Sequence, residues 1–582
     1  MSGTLSSRAL AILGLLALAA WPLVFSSAYD LRVFGLAGVY AILVLGYQFI
    51  FGHAGALALT QGMFFGLAAY ITAILGAKVG WPATVTLPLS ILGPVLVAAF
   101  VAIPVLRLDT HYFALATLGI AQIALLIAIK WEDLTGGSNG LPGVPGLVLF
   151  GMAVPNGLPL VAVIWGAVAV CALLAWQIMR GLYGGAFQVM RTNLLIAGAI
   201  GIDSAKLRYA AFLLSAAYAG LAGALHAHML RVVSPEVLEF NVMVACLSMA
   251  VVGGRTRVAG AILGALVLVH LPEWLRGFES YYLVVYGAVL LGMIIAAPEG
   301  VAGMLPVSVR KDLAGGDAAR KGLHASAPSD GPVLALHGIS KRFGGIQALR
   351  DVTFSVQPGE IVGLIGPNGS GKTTLLNVIS GLYPADAGQI HFSGEAIGTC
   401  RPYELARRGL ARSFQVASLV DELTAVDNVA AAFAGRVDRA SPAATALTSR
   451  PLTVARAEAL RLLEELGIAG HAWERAGTLP HGIRRRLEIA RALALDPRLV
   501  LLDEPAAGLD TAEMHDLSAR LRSLAQQGRA LLIVEHNMPF LLPLAHRIVC
   551  LDRGSVIAEG IPEAIRLDPA VRAAYLGVDK LS

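Results

Sequence analysis

The sequence predicts two unlike portions in one chain, an all-α polytopic membrane domain followed by an α/β domain built on a largely parallel sheet. Three observations predict this. Hydrophobic residues make up 56% of the 582 and charged ones only 14%, whereas a soluble globular chain carries about a quarter charged residues, so much of this surface faces lipid. The charges are also unevenly placed: long uncharged runs fill roughly the first 300 residues, and the remainder reads like an ordinary soluble domain. In that remainder, short apolar runs such as 361–365, 499–502 and 530–534 alternate with helical stretches, the pattern of strands and crossover helices. A chain of this length also exceeds what one hydrophobic core organises.

Crossing a hydrocarbon core takes about 17 to 25 apolar residues. Candidate stretches are 9–25, 33–51, 57–77, 85–106, 113–129, 158–179, 207–230, 237–252, 258–271 and 281–297, about ten transmembrane helices. The first follows Arg8 and precedes the small residues Ser26, Ser27 and Ala28, a pattern shared with cleavable secretory signals; further spans follow at once, which favours an uncleaved first span. Lys and Arg are retained on the cytoplasmic side. One topology with both ends inside brings Arg8, Arg107, the cluster from Arg180 to Arg208, Arg255, Arg257, Arg310 and Lys311 to that side. The opposite loops carry Asp30, Glu132, Asp133, Glu236, Glu239, Glu273 and Glu279, with Lys78 and Lys130 against the trend. Domain limits follow: 1–305 for the membrane domain, 306–332 for a flexible Ala, Gly, Ser, Asp and Lys linker, and 333–582 for the α/β domain.

The net charge of +5 forms no basic stripe, so no nucleic-acid partner is expected. Cys171, Cys246, Cys400 and Cys550 are far apart and split between the portions. Neither a disulfide framework nor a zinc site is indicated, and small buried apolar residues are the reading.

The chemistry is concentrated in Gly366-Pro367-Asn368-Gly369-Ser370-Gly371-Lys372-Thr373, with Thr374 next, between an apolar strand and a helix. That context makes it a P-loop: glycines let consecutive N–H groups curl around a polyphosphate, and the helix N-terminus adds partial positive charge. Lys372 is expected to reach the β and γ phosphates of ATP, and the Thr373 hydroxyl to hold Mg²⁺. A second apolar strand ends in Asp503 and Glu504. There Asp503 suits the Mg²⁺ shell and Glu504 the polarisation of an attacking water.

Over 333–582 these motifs stand in an order that resembles the ATP-binding-cassette (ABC) family of P-loop NTPases: the P-loop, Arg412-Ser413-Phe414-Gln415, the run from Leu479 into Arg485-Arg486-Leu487-Glu488-Ile489-Ala490, Asp503-Glu504-Pro505, Gly508-Leu509-Asp510 and His536. Alone, Gln415, His536 or Phe343 would read as structural; order and spacing raise them. The resemblance implies that Gln415 senses Mg²⁺ and the nucleophilic water, that Glu504 is the general base, that Asp510 lies at a dimer contact and that His536 contacts the γ-phosphate. It also implies that Phe343 stacks on adenine. The signature loop departs from the family's Leu-Ser-Gly-Gly-Gln, reading Leu479-Pro480-His481-Gly482-Ile483. Pro480 lacks both a hydroxyl and an N–H, and Ile483 has no polar side chain, leaving Gly482 and the following helix start as the phosphate contact. The composite site completed by this loop is therefore expected to hydrolyse slowly or to serve mainly for binding.

The membrane portion is similar to the permease component of branched-chain amino acid importers over about 30–300. The similarity rests on Phe51-Gly52-His53-Ala54-Gly55-Ala56, on Tyr112-Phe113-Ala114-Leu115-Ala116-Thr117-Leu118-Gly119, on Leu134 to Leu141 and on Val251-Val252-Gly253-Gly254-Arg255. The α/β portion resembles the matching ATPase, also through its terminal Tyr575-Leu576-Gly577. Glycines around 52–62 and 136–146 fit either broken helices that expose backbone to a zwitterionic solute or plain packing contacts and turns. His53, His226 and His228 read as satisfied polar residues, and the loop 183–204, with Arg191, Gly198, Gly201 and Asp203, as the segment that docks into the ATPase. Because ATP is sandwiched between two cassettes, the family implies a second permease and a second ABC ATPase subunit, with hetero-assembly favoured over a homodimer. It further implies a periplasmic solute-binding protein, a small-molecule solute and a bacterial inner membrane location among lipid. Leucine, isoleucine and valine are the default solutes, with urea, amides or aromatic acids as alternatives. An ABC exporter or a non-transporting sensor are the rival classes; short loops and an intact Glu504 argue against them.

Overall fold

A computed structural model describes residues 27–108, 110–149, 151–275, 281–297, 299–304, 331–414, 419–435 and 450–576. The predicted span 9–25, most of the linker 306–332, Gln415 and Gly577 lie outside the described residues. The chain divides into two units, Met1–Ile178 with Ala205–Arg310, and Met179–Ser204 with Lys311–Ser582. The second unit thus takes a segment from inside the stretch 1–305.

The first unit is helical: α1 (Ala28–Tyr47), α2 (Gln61–Ala73), α3 (Ala83–Val105), α4 (Thr110–Lys130) and α5 (Leu158–Arg180). Two short helices of the second unit, α6 (Leu182–Thr192) and α7 (Leu194–Ala199), precede α8 (Ser204–Leu230), α9 (Phe240–Gly253), α10 (Val258–Trp274) and α11 (Tyr282–Ala296). Five helices among the described residues, α1 with its extension, α3, α4, α5 and α8, are long and apolar enough to cross a membrane. The expectation of about ten such spans is not confirmed, with five found among the described residues and the candidate 9–25 outside them. The candidates at 57–77, 237–252, 258–271 and 281–297 appear as helices of 13, 14, 17 and 15 residues; in the first, the helix starts only at Gln61 and gives way to a π-turn at Ile74. α9 has 14 residues, roughly 21 Å of rise against a core of about 30 Å.

The break after α1 is built by close packing. A π-helical turn, Gln48–His53, leads into the non-helical stretch 54–60. A Cβ at Gly52 would lie 1.8 Å from the Arg255 carbonyl oxygen, so only glycine fits. The Gln48 side-chain amide donates to the carbonyls of Gly254 at 2.8 Å and Arg257 at 2.9 Å, capping the turn that follows α9. Gln61 donates to Leu43 O at 3.0 Å and Ser215 O at 3.3 Å and accepts from the Ser215 hydroxyl at 2.6 Å. At Gly52 the glycines act as packing contacts, while the chain is also broken there. One ring nitrogen of His228 meets Pro145 O at 2.9 Å; among the described residues its Nε2 and His226 Nδ1 meet no hydrogen-bond partner.

In the second unit, β1 (Leu334–Phe343), β2 (Ile346–Val356), β4 (Ala387–Phe392) and β5 (Glu395–Ala396) form an antiparallel sheet in the order β2-β1-β4-β5. The main sheet runs β6-β7-β8-β3-β9-β10, from β6 (Leu410–Arg412), β7 (Leu499–Asp503), β8 (Ala530–Val534), β3 (Ile361–Ile365), β9 (Arg547–Asp552) and β10 (Ser555–Gly560). All its pairings are parallel except β9 with β10. β3, β7 and β8 are buried throughout, which is why they read as continuous apolar runs rather than alternating ones. The helices that matter for the site are α12 (Lys372–Ile379), α13 (Pro402–Arg408), α14 (Ala425–Ala430), α15 (Arg450–Glu465), α16 (His481–Leu493), α17 (Thr511–Gln526), α18 (Met538–Leu541), α19 (Pro562–Leu567) and α20 (Pro569–Leu576).

Candidate nucleotide site

The three central strands β7, β8 and β3 are neighbours in register, so the loops at their carboxyl ends converge. Ligands of open parallel sheets bind at such an edge. From β3 the chain turns at Gly366 and re-enters a helix at Lys372, with Gly371 capping at φ +104°. Ser370 is buried, Thr374 half-buried, and Asn368, Gly369 and Thr373 are exposed along the open side of the loop. Lys372 Nζ folds over the loop, donating to Gly366 O at 2.7 Å and Pro367 O at 2.9 Å, with Ser370 Oγ at 3.4 Å. Burial pulls the Lys372 pKa down, and the nearby Glu504 carboxylate, with Asp503, opposes that pull. The cation and the two carboxylates therefore belong to one electrostatic site.

Asp503 is buried at the end of β7, and Arg412 Nη2 stands 3.8 Å from its carboxylate. Arg412 also donates to Ser380 Oγ at 2.7 Å, and burial lowers its guanidinium to about 10 despite Asp503. The Asp503 carboxyl is pushed up by burial, with Arg412 acting against it. Glu504 sits at φ +50°, a left-handed conformation that costs about 1–3 kcal/mol unless its surroundings enforce it. They do. The buried Arg485 guanidinium donates to the carbonyls of Asp503 at 2.5 Å and Glu504 at 2.6 Å, to Phe414 O at 2.7 Å, and to the Glu488 carboxylate at 2.8 Å. One arginine on α16 thus ties the main-chain carbonyls of Asp503 and Glu504 to that of Phe414, two residues past the end of β6.

Glu535, 1% exposed, accepts from the backbone N–H groups of Ala506 at 2.8 Å, His536 at 2.9 Å and Asn537 at 3.1 Å. It ties the loop after Glu504 to the loop after β8. His536 Nδ1 consequently lies 3.6 Å from Glu504 Oε1. Neither Arg485 nor Glu535 was singled out by sequence reasoning for a role in the site. A charged residue inside a helical or strand-end motif signals nothing until its backbone partners are known.

Pro480 caps α16, and Gly482, buried, packs against the Glu513 carboxylate of α17. Asp510 caps α17, accepting from Glu513 N at 2.7 Å. Arg484 pairs with Asp421 at 2.9 Å and Arg486 with Asp516 at 2.7 Å. Phe343 ends β1, 42% exposed, edge-on to Tyr383 with ring centres 5.2 Å apart and Lys341 Nζ 5.4 Å from its ring centre. Tyr383, absent from the sequence reading, extends this aromatic surface. Oxygen donors at Thr373 and Asp503 suit a hard cation such as Mg²⁺, which is held by a few protein oxygens together with phosphate. The open loop beside Lys372 suits a polyphosphate.

The segment Met179–Ser204 packs within this unit. Asn193 caps α7, its side chain accepting from Leu195 N at 2.9 Å. Arg407 of α13 donates to Gly201 O at 2.8 Å. Leu195 and Ala199 line a cavity with Ser380, Leu382, Pro402, Leu410, Arg412 and Phe414, so the segment reaches the arginine that faces Asp503.

Three family descriptions match the chain: the permease component of the branched-chain amino acid transport system over 31–297, an ABC transporter cassette over 349–507, and the branched-chain amino acid ATP-binding cassette transporter over 555–580. The high-affinity branched-chain amino acid transport ATP-binding protein BraF of Pseudomonas aeruginosa is 38% identical over 250 residues, 42% of this chain and 98% of the relative. LivG of Escherichia coli, with the same description, is 37% identical over 258 residues, 42% of this chain and 98% of the relative. A solved nucleotide-free ATP-binding cassette from an ABC transporter is 31% identical, covering 42% of this chain and 99% of its own, with a TM-score of 0.38.

Proposed function

The chain belongs to the branched-chain amino acid ABC transporter family, and from that premise we propose that it is a fused permease and ATPase that spends ATP on the uptake of branched-chain amino acids or related small polar solutes. Its place would be the bacterial inner membrane, with the cassette on the cytoplasmic side. The observation that carries this reading is the convergence of Lys372, Asp503, Glu504 and His536 on one sheet edge, in the unit that also holds the segment Met179–Ser204.

That geometry, with the family, supports the following residue roles. Lys372 and the loop N–H groups of Asn368, Gly369, Ser370 and Gly371 hold the phosphates, Gly366 opens the loop with its own N–H turned to Tyr575, Thr374 stands beside Thr373 at the helix start, and Phe343 with Tyr383 receives adenine. Mg²⁺ would be held by Thr373 and Asp503, with Gln415 as the third residue implied by the family, and would neutralise charge on the phosphate oxygens. Glu504 takes a proton from the attacking water, and His536, 3.6 Å from it, orients toward the γ-phosphate. Gly482 and the start of α16 serve the ATP of a second cassette. Pro480 at the cap of α16 offers that ATP no hydroxyl, which supports an assembly with a different, fully equipped ATPase and a second permease. A periplasmic binding protein would deliver the solute.

The test is to purify the assembly with its binding protein and measure which solute stimulates ATP hydrolysis. Stimulation by leucine, isoleucine or valine is the expected result. Stimulation by urea, amides or aromatic acids alone would replace the solute, and hydrolysis indifferent to every solute would sink the transport reading.

A further inference from the structure

The chain's last described helix lies far in sequence from the catalytic carboxylates, yet it touches the phosphate loop. α20 is anchored at its start, where Asp568 Oδ1 accepts from the N–H groups of Ala570 at 2.8 Å and Val571 at 3.1 Å, and Val571 is buried. In its last turn, the Tyr575 hydroxyl accepts a hydrogen bond from the Gly366 N–H at 2.8 Å. Gly366 is where β3 leaves the sheet: the ladder with β9 ends at the pair Cys550 and Ile365, one residue earlier.

Gly366 has little freedom to respond to a lost contact. Its φ is +150°, and a Cβ there would lie 2.1 Å from Leu551 O and 2.6 Å from Ser370 Oγ. Its carbonyl already accepts from Lys372 Nζ at 2.7 Å. The peptide units on both sides of this glycine are therefore tethered, one by the lysine that is to bind phosphate and the other by the C-terminal tyrosine. When Lys372 exchanges loop carbonyls for phosphate oxygens, the Tyr575 bond is the tether that remains.

We infer that Tyr575 is a positioning residue for nucleotide binding: its hydroxyl holds the first peptide of the phosphate loop in place, so that the carboxyl-terminal helix sets the loop's affinity for ATP. The inference rests on the phosphate-loop reading and adds to it a control from outside the motif. Tyr575 is 42% exposed, so its side chain can be changed without reopening a core.

The experiment uses the full chain in lipid nanodiscs, with Tyr575→Phe and Tyr575→Ala, and ATP affinity measured by calorimetry beside melting without nucleotide. Removing one hydrogen bond of ordinary net strength corresponds to roughly three- to tenfold in affinity. Both variants are expected to bind ATP that much more weakly, with the loss in hydrolysis by the purified assembly falling on KM for ATP rather than on kcat, and Tyr575→Phe is expected to melt like the unaltered chain in the absence of nucleotide. Unchanged affinity in Tyr575→Phe, with or without a loss in Tyr575→Ala, would overturn the role of the hydroxyl. An unaltered chain that binds no ATP would instead overturn the phosphate-loop reading on which this one rests.

Discussion

The two units bury polar groups by different means. In the membrane unit the buried amides Gln48 and Gln61 satisfy stray carbonyls at helix breaks, neutral donors meeting neutral acceptors. In the cassette the buried groups carry charge: Arg485 with Glu488, Arg412 with Asp503, and Glu535 gathering three backbone N–H groups. Neutral amides keep an irregular backbone tolerable where lipid offers no hydrogen bonds, whereas the cassette's charges hold the residues around Asp503 and Glu504 at fixed distances. The difference teaches where each unit is vulnerable. Loss of a partner costs the cassette a buried charge and costs the membrane unit a hydrogen bond.

The largest expected effect is chemical. Glu504→Gln removes the base and should lower ATP turnover at this site by about 10²- to 10⁴-fold, read as phosphate release by the purified assembly, and solute uptake should be lost with it. Lys372→Ala should abolish uptake as well. Uptake retained in both variants would show that this nucleotide site does not drive transport.

Next comes Arg485→Gln, which takes from the Glu488 carboxylate the nearer of two arginines, Arg491 remaining at 4.0 Å, and frees three carbonyls; losing a buried charge partner in this way costs up to about 3–5 kcal/mol. A melting temperature within a degree or two of the unaltered chain would refute the arginine's part in fastening Glu504. In the membrane unit, Gln61→Leu deletes a comparable number of bonds but no charge, and should cost about 1–2 kcal/mol, since hydrogen bonds between membrane helices average less than that each. Should the two losses prove equal in unfolding titrations, the contrast between the units would collapse. The smallest effect belongs to Arg407→Ala, which removes the hydrogen bond to Gly201 O. Stability should change by about 1 kcal/mol or less, while the ratio of transported solute to ATP hydrolysed should fall if the segment Met179–Ser204 couples the two activities.

Much of the cassette was legible because its chemistry demands fixed residue types at fixed spacing. The phosphate loop, Asp503-Glu504 and His536 announce themselves in this way, and the structure brings them together. Arg485, Glu535 and Tyr575 were not legible as parts of the site, because each acts on backbone atoms, and any residue's carbonyl or N–H looks alike in a sequence. In the membrane unit, apolar length located helices and the glycines at 52–62 offered a break between two of them, but the limits of that break were not legible. The run 57–77 satisfies composition, yet α2 begins only at Gln61, after the non-helical stretch 54–60 that follows the π-turn.

By itself, then, the sequence determined the order of the two halves, the apolar stretches, the parallel-sheet class of the second half and the identity of the phosphate chemistry, all of which depend on local pattern and residue type. The docking of the loop 183–204 was read from its family position; only the tertiary structure decided that Arg407 holds it through Gly201 O, that Glu504 is held in a left-handed conformation by an arginine on α16, and that α20 reaches Gly366. The physical reason is that these are long-range meetings of side chains with backbone groups, whose energy depends on where the chain returns and not on what is written nearby.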